Sequence, residues 1–216
     1  MTDTISLVER LGRKRLVPVV VLDKESDAEP LAEALLKAGL DIMEVTFRTA
    51  AAEGAIKRIA AKFPEILLGA GTLLEPDQVP RAFGAGAKFG VAPGLNDNVV
   101  AAARAAGLDM FPGVMTPSEV EHALAFGCKI QKFFPAEAAG GVAMLKALEG
   151  PYAHTGLKFI PTGGISLVNM RSYLERPSVA AIGGSWMVEK KLIAAADWAQ
   201  ISKLTRDALA VAASRP

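Results

Sequence analysis

The chain has 216 residues, of which 51% are hydrophobic and 6% aromatic, so it can bury a sizeable core built mainly from aliphatic side chains. Its 24 basic and 23 acidic residues leave a formal net charge of +1, which gives no electrostatic reason to expect a nucleic acid or an anionic membrane as partner. The single cysteine, Cys128, excludes a disulfide framework and a thiolate metal cluster within one chain.

The first 15 residues mix acidic and basic side chains without a continuous apolar stretch, so they lack the pattern of a signal peptide. No later stretch supplies the roughly 18 uninterrupted apolar residues that a membrane-spanning helix needs. Together with the lone cysteine, this pattern predicts a protein of the reducing cytoplasm that is not attached to a membrane.

In chain order, residues 5–11 have the pattern of a short amphipathic helix that ends at Gly12, and residues 1–15 are expected to form a helical extension. The apolar run 16–22 then predicts a strand buried on both faces. Ser26 and Asp27 are candidate caps for the next helix. Strand and helix alternate from there to the end. The predicted strands are 16–22, 41–48, 66–71, 87–93, 109–113, 129–134, 158–162 and 179–182, and the predicted helices are 28–37, 51–62, 76–84, 96–106, 117–126, 142–148, 167–174 and 197–213.

Eight alternating strand and helix units with short, glycine-rich connections predict a closed parallel (β/α)8 barrel, or TIM barrel, in a single domain over residues 1–216. The competing α/β architecture is an open doubly wound sheet, which would carry a glycine-rich dinucleotide motif after its first strand. Asp23, Lys24 and Glu25 stand there instead, which favours the barrel. The pattern determines segment 150–157 least.

Lys132 is the residue around which the predicted site is organised. It shares one side of a predicted buried strand with Ile130 and Phe134. Burial in an apolar environment disfavours the charged ammonium, and a neutral amine is a nucleophile that forms a Schiff base with a carbonyl group. The alternative is a strand-end lysine whose ammonium reaches solvent.

Glu44, Thr46 and Arg48 alternate onto one face of the second predicted strand and are expected to point toward the barrel axis. Inward barrel positions normally carry branched aliphatic side chains, so an inward Glu44, Arg48 and Lys132 favour chemistry over packing, with a structural ion network as the alternative. Glu44 is suited to acid and base catalysis. An apolar lumen would raise its pKa whereas Arg48 and a charged Lys132 would lower it, and the sequence leaves that balance open.

The pairs Gly163-Gly164 and Gly183-Gly184, the second followed by Ser185, come after the seventh and eighth predicted strands. Such barrels commonly bind phosphate there, because glycine lets backbone N–H groups approach the anion closely. The two pairs together predict a phosphorylated substrate. Neither histidine of the chain has a carboxylate at metal-ligand spacing, so neither a metal nor a cofactor is expected.

Five motifs spread over nearly the whole chain carry a family resemblance: 44–49 (EVTFRT), 69–72 (GAGT), 132–137 (KFFPAE), 161–165 (PTGGI) and 182–186 (IGGSW). They resemble the class I, lysine-dependent aldolases of 2-keto-3-deoxy-6-phosphogluconate (KDPG) and 4-hydroxy-2-oxoglutarate. The resemblance implies reversible cleavage of KDPG to pyruvate and glyceraldehyde 3-phosphate in the Entner-Doudoroff pathway, without a cofactor, by a homotrimer.

The resemblance also implies a role for each matching residue. Lys132 would form the imine and Glu44 would be the acid and base. The remaining residues would bind the substrate: Arg48, Thr72 and the Gly71 backbone at its carboxylate end, Pro93, Phe134 and Thr162 along the pocket, and Gly163, Gly164, Gly184 and Ser185 at its phosphate.

Alternative functions remain open from the sequence. The Pro161-Thr162 and Ser185 forms resemble the gluconate enzyme more than its relative that acts on 2-keto-3-deoxy-6-phosphogalactonate, which is kept as an alternative. A phosphosugar isomerase or epimerase would use Glu44 as a base and Lys132 only as an electrostatic partner. A barrel that binds a phosphorylated ligand without catalysis is the third alternative.

Overall fold

The computed structural model describes residues 7–214, so the predicted helical residues 5 and 6 lie outside the described part of the chain. The strands there are β1 (Leu16–Val20), β2 (Ile42–Thr46), β3 (Leu67–Gly71), β4 (Phe89–Val91), β5 (Asp109–Phe111), β6 (Gly113–Val114), β7 (Ile130–Phe133), β8 (Lys158–Pro161) and β9 (Ile182–Gly184). The helices are α1 (Leu7–Lys14), α2 (Ala28–Lys37), α3 (Ala52–Lys62), α4 (Gln78–Ala85), α5 (Asp97–Ala106), α6 (Pro117–Ala125), α7 (Gly141–Tyr152), α8 (Met170–Leu174), α9 (Lys190–Ala194) and α10 (Trp198–Ala213).

The strands form a parallel sheet that curls into a half-barrel. Six strands follow the order β5-β4-β3-β2-β1-β9, and three follow the order β6-β7-β8. Two isolated parallel bridges, Phe159 with Val179 and Thr162 with Gly183, connect the β8 region to the β9 region. The predicted α/β class with parallel strands is therefore confirmed.

The fifth predicted strand is interrupted. It was expected to run through 109–113, but it divides into β5 and β6 at Pro112, which has no backbone N–H for a ladder. The carbonyl of Pro112 still accepts a hydrogen bond of 2.9 Å from the Lys132 N–H. This break places Gly113 opposite Lys132 in the register of β6 and β7.

The last predicted strand is displaced along the chain. Expected at 179–182, it is observed as Ile182–Gly184, because Gly183 and Gly184 pair with Val17 and Pro18 of β1. The predicted loop glycines therefore belong partly to the sheet. The nearby helices differ as well, since α8 is shorter than the predicted 167–174 and α9 was not predicted.

Two further differences concern helix boundaries. The undetermined segment 150–157 contains the end of α7 and a 3-10 turn at Ala153–Thr155. The predicted caps Ser26 and Asp27 lie in a 3-10 turn at Glu25–Asp27, and Asp27 gives α2 no side-chain cap hydrogen bond. The backbone of that short turn leads directly into α2.

The core has the predicted aliphatic character, and strands such as β2 and β3 are buried along their whole length. A few aromatic side chains complete it, including Phe89 and Phe111, which stack at a centroid distance of 5.0 Å. The helices cover the outer face of the strands. The Ser202 hydroxyl of α10, for example, donates a 2.6 Å hydrogen bond to the Ala34 carbonyl of α2.

No helix within residues 7–214 is long and apolar enough to cross a membrane.

The close approach of β4 and β6 generates a stability prediction. A Cβ atom added at Gly113 would collide with the backbone carbonyl of Pro93, whereas one added at Gly84 of α4 would meet no atom within 4 Å. Gly113→Ala should therefore lower the free energy of unfolding by about 1–3 kcal/mol through overpacking. The matched Gly84→Ala variant should raise it by about 0.5–1 kcal/mol, because alanine favours a helix. Urea denaturation measures both, and equal stability of the two variants would contradict the packing described.

Candidate active site

A cavity of about 610 Å³ lies at the carboxyl ends of the strands, where the barrel interpretation predicts the site. Ten of the twelve predicted site residues line it: Arg48, Thr72, Pro93, Lys132, Phe134, Thr162, Gly163, Gly164, Gly184 and Ser185. Glu44 and Gly71 do not line it.

Lys132 lies within β7, where its register partners are Gly113 of β6 and Ile160 of β8. Only 6% of the residue is exposed. Its Nζ is 4.9 Å from the centroid of the Phe134 ring, a cation-π distance. The alternative of a strand-end lysine whose ammonium reaches bulk solvent is therefore wrong, because the side chain of Lys132 is buried and lines the cavity.

Glu44 is the second buried ionisable residue at this end of the sheet, with 4% exposure. It lies in β2 opposite Gly69, and its carboxylate occupies the space that a side chain at Gly71 would need. Burial raises the pKa of Glu44, and the charge of Lys132 only partly opposes that effect. The sequence left open whether burial or nearby positive charge has the larger effect on this pKa. In the structure burial has the larger effect, so Glu44 stays protonated up to a higher pH than an ordinary glutamate.

The polar atoms of these two side chains are not hydrogen-bonded within residues 7–214. Among the described residues, neither side chain forms a hydrogen bond with another residue, and the buried Oε1 of Glu44 has no partner. Buried polar groups in folded proteins are nearly always hydrogen-bonded, so a buried lysine and a buried glutamate that lack such partners at the same end of the sheet indicate a site for a ligand. This observation also disfavours a structural ion network.

Arg48 does not occupy the predicted inward strand position. Strand β2 ends at Thr46, so Arg48 lies in the following turn and is exposed, although it lines the cavity. Its guanidinium has no ion-pair or hydrogen-bond partner within the described residues. A free guanidinium at the edge of the cavity is suited to binding a carboxylate from solution.

Thr72 has an unusual backbone conformation. Its φ angle is +56°, in the left-handed region that non-glycine residues rarely occupy. Such a conformation persists only where the surrounding structure imposes it, and it is frequent at ligand sites. Here the strained residue directly follows β3 and lines the cavity beside the turn that carries Arg48.

The opposite end of the cavity consists of the glycine-rich segments. Gly163 and Gly164 have φ angles of +101° and +77°, so the loop after β8 needs glycine at both positions. Ser185 follows β9 and is exposed. Thr162 is buried and also lines this part of the cavity. The side chains of Thr162 and Ser185 and the backbone of the glycine-rich loop therefore face the same part of the cavity.

The loop after β7 is hydrogen-bonded to the glycine-rich loop after β8. The N–H of Ala136 donates to the Thr162 carbonyl at 2.8 Å, and the N–H of Glu137 donates to the Gly163 carbonyl at 3.1 Å. The hydroxyl of the buried Tyr173 donates to the Glu137 carboxylate. This arrangement fixes the strand that carries Lys132 to the glycine-rich loop.

Several residues of the cavity wall were not predicted as site residues: Val19, Val21, Thr46, Ile165, Gly183, Val188, Glu189 and Lys190. Thr46 was expected to point inward because it alternates with Glu44, but it was given no role; its hydroxyl donates to the Val20 carbonyl at 2.9 Å. Glu189 and Lys190 had no such signal, because a charged run before a short helix is typical of a solvated surface.

Comparisons with known proteins agree with this geometry. The family model described as "Aldolase: KDPG and KHG aldolase" matches residues 7–204. The 2-dehydro-3-deoxy-phosphogluconate aldolase of Treponema pallidum (strain Nichols) is 47% identical over 207 residues, which cover 96% of this chain and 98% of that protein.

Two solved structures are similar along nearly their whole length. The crystal structure of KDPG aldolase from Legionella pneumophila, with pyruvate captured at low pH as a covalent carbinolamine intermediate, has a TM-score of 0.89 and 39% identity, and the match covers 94% of this chain and 97% of that one. The KDPG aldolase of Zymomonas mobilis ZM4 with 3-phosphoglycerate has a TM-score of 0.86 and 38% identity, with 94% and 95% covered. With the family model spanning almost the whole described chain, this protein belongs to the KDPG and KHG aldolase family.

Proposed function

We propose that this protein is a class I aldolase that cleaves KDPG reversibly to pyruvate and glyceraldehyde 3-phosphate through a Schiff base on Lys132. The observation that carries the proposal is the burial of two ionisable residues at this end of the sheet: Lys132 lines the cavity, and the buried Oε1 of Glu44 has no hydrogen-bond partner among the described residues. The Legionella relative supports it, because a carbinolamine is the adduct that an amine forms with a ketone. Cleavage of 4-hydroxy-2-oxoglutarate, which shares the reacting part of KDPG, is proposed as a further activity.

The substrate would lie along the cavity with its carboxylate near Arg48 and Thr72 and its phosphate near the glycine-rich segments. The free guanidinium of Arg48 binds the carboxylate by charge-assisted hydrogen bonds. Gly71 makes room for Glu44 and offers its backbone, while Pro93, Phe134 and Thr162 border the carbon chain. Gly163, Gly164, Gly184 and Ser185 receive the phosphate.

The first half of the reaction forms the covalent intermediate. The neutral Nζ of Lys132 attacks carbon 2 of the keto acid and gives a carbinolamine, which loses water to become a protonated imine. The positive nitrogen then accepts electrons from the bond between carbons 3 and 4.

The second half divides the substrate. Glu44 in its ionised form, directly or through a water molecule, takes the proton of the hydroxyl on carbon 4, the bond between carbons 3 and 4 breaks, and glyceraldehyde 3-phosphate leaves. The remaining enamine takes a proton at carbon 3, and water hydrolyses the imine to pyruvate and free Lys132. Glu44 must therefore both accept and return a proton, for which a raised pKa is suited.

We also propose that the strands complete a (β/α)8 barrel in one domain over residues 1–216. The bridges of Phe159 with Val179 and of Thr162 with Gly183 support closure between β8 and β9. A homotrimer and a cytoplasmic location are proposed from the family resemblance, and the free thiol of Cys128 fits a reducing compartment.

Trapping with pyruvate tests the covalent step. Borohydride added with pyruvate should inactivate the protein irreversibly and leave one reduced pyruvate adduct on Lys132 in a peptide mass map. Lys132→Ala should lose the adduct and several orders of magnitude in kcat, about 10³-fold or more, because no other nucleophile replaces it. Lys129→Ala is the matched control, since Lys129 is exposed at the start of the same segment and should keep both.

The outcomes separate the alternative functions. Retention of most turnover by Lys132→Ala would contradict the covalent mechanism and favour an isomerase or epimerase. Thermal stabilisation by phosphorylated ligands without pyruvate release from KDPG would instead favour a binding protein. Faster cleavage of the galactonate isomer would assign the protein to that substrate.

The pH dependence tests the role of Glu44. Its base form is the ionised one, and burial raises its pKa above the ordinary value of 4.5, so kcat/KM for cleavage should fall on the acid side at a pH higher than an ordinary glutamate would give. Glu44→Gln should lose about 10²- to 10⁴-fold in kcat and should abolish this acid limb. An unchanged acid limb in the variant would assign the ionisation to another group.

Substitution of Ser185 tests the phosphate end. Ser185→Leu should raise KM for KDPG by about tenfold or more, because it removes a polar group and blocks the anion. KM for 4-hydroxy-2-oxoglutarate should change by less than about twofold, since that substrate has no phosphate. Steady-state kinetics with both substrates measures the difference, and an equal effect on both would remove Ser185 from the phosphate site.

A further inference from the structure

The phosphate end of the cavity needs a positive charge that the predicted site residues do not supply. The described residues of the cavity wall include three with cationic side chains, namely Arg48, Lys132 and Lys190. Lys132 reacts with the ketone and Arg48 lies with Thr72 at the carboxylate end. Backbone N–H groups and a serine hydroxyl bind a phosphate, but a dianion in a partly enclosed site is bound more favourably where a cation approaches it. Lys190 is the remaining candidate.

Lys190 is held close to the glycine-rich end by a short, well-packed segment. It begins α9, five residues after Ser185. Between them, the N–H of Val188 donates to the Ser185 carbonyl at 3.0 Å, and both Met187 and Val188 are buried. The backbone that carries Lys190 is therefore fixed to the wall of the cavity, while its side chain remains 56% exposed and free to change rotamer.

In the structure, Lys190 is paired with Asp23, which does not line the cavity. Its Nζ lies 2.9 Å from Oδ2 of Asp23, a residue of the loop after β1 whose side chain is 62% exposed. Strands β1 and β9 are neighbours, with Pro18 opposite Gly184, so this pair spans the ends of two adjacent strands. Such an exposed ion pair contributes little to stability, and a dianion of higher charge can replace one carboxylate as partner.

The two charged neighbours of Lys190 along the chain, Glu189 and Lys191, are paired with each other. An exchange of Asp23 for a phosphate therefore changes the partner of Lys190 alone. Glu189 also lines the cavity, but its carboxylate is 2.6 Å from Nζ of Lys191. Lys191 does not line the cavity, and its side chain is 77% exposed. Two consecutive lysines therefore differ in their position relative to the cavity while their exposure and local charge are similar.

We propose that Lys190 binds the phosphate group of the substrate in exchange for Asp23, and that it thereby sets the preference for phosphorylated over unphosphorylated 4-hydroxy-2-keto acids. This inference rests on the proposed aldolase function. In the free protein, Asp23 holds the ammonium at the mouth of the cavity. When the phosphate reaches Gly184 and Ser185, the ammonium turns to it and Asp23 returns to solvent.

The test compares Lys190→Gln with Lys191→Gln. Lys190→Gln should raise KM for KDPG by about five- to twentyfold, because it removes a charge-assisted contact at a partly exposed site. Its kcat and its KM for 4-hydroxy-2-oxoglutarate should stay within about twofold, since the reacting groups are unchanged. Lys191→Gln removes the same charge from a side chain that does not line the cavity, so its effect on KM for KDPG, which comes only from unpairing Glu189, should be clearly smaller. Asp23→Asn should lower KM for KDPG, because the competing carboxylate is removed. Equal effects of the two lysine variants, or equal effects of Lys190→Gln on both substrates, would overturn the proposal.

A binding measurement separates this proposal from the aldolase function. Inorganic phosphate should raise the melting temperature of the wild-type protein and of Lys191→Gln, and the shift should be much smaller in Lys190→Gln. Loss of the shift in a protein that releases no pyruvate from KDPG would support the phosphate contact and refute the aldolase. Normal pyruvate release with an unchanged phosphate shift in Lys190→Gln would refute Lys190 alone.

Discussion

The burial of a lysine and a glutamate at the same end of the sheet is the constraint on which the rest of the site depends. Taking either ionised group out of water is unfavourable unless it gains partners, and the side chains of Lys132 and Glu44 gain no hydrogen bond from the described residues. The fold tolerates this because a large aliphatic core supports the strands on both sides. The polar atoms thus remain available for a substrate, and the low local dielectric strengthens their effect on one another.

Small residues make this burial sterically feasible. A side chain at Gly71 would overlap the Glu44 carboxylate, and one at Gly183 would overlap the Thr162 hydroxyl. Each of these glycines lies in a strand, where glycine is otherwise unfavourable, and each faces a polar side chain of the neighbouring strand. At the carboxyl ends of the strands, glycines without side chains thus lie next to polar side chains, which is how a packed sheet can contain reactive groups.

Local pattern was sufficient to predict the alternation of strand and helix and most of the cavity wall. Buried parallel strands are short apolar runs, and the strand-end rule brings Lys132, Thr162 and Ser185 to one face whatever the details of packing. The local sequence pattern could not predict which strands pair. Gly183 and Gly184 are typical of turns, yet they pair with β1. The alternation of side chains along a strand predicted that Arg48 points inward. That alternation does not extend beyond Thr46, where β2 ends, so the prediction was wrong. Lys190 could not be predicted, because only its distance to Asp23 and the cavity distinguishes it from Lys191.

The segment that carries Lys132 is mechanically connected to the glycine-rich end of the cavity, and in the proposed mechanism this connection gives phosphate binding a role in the chemistry. The loop that follows Lys132 is hydrogen-bonded to the carbonyls of Thr162 and Gly163, and Tyr173 holds the Glu137 carboxylate of the same loop. In the proposed mechanism, a phosphate bound at the glycine-rich end would therefore lie at a fixed distance from the amine of Lys132. Binding energy gained at an unreactive group can then orient the reacting carbons without any contact at the bond that breaks. On the same proposal, a substrate without phosphate would lack this second anchor, and its ketone would be held near Lys132 only by the contacts of its carboxylate.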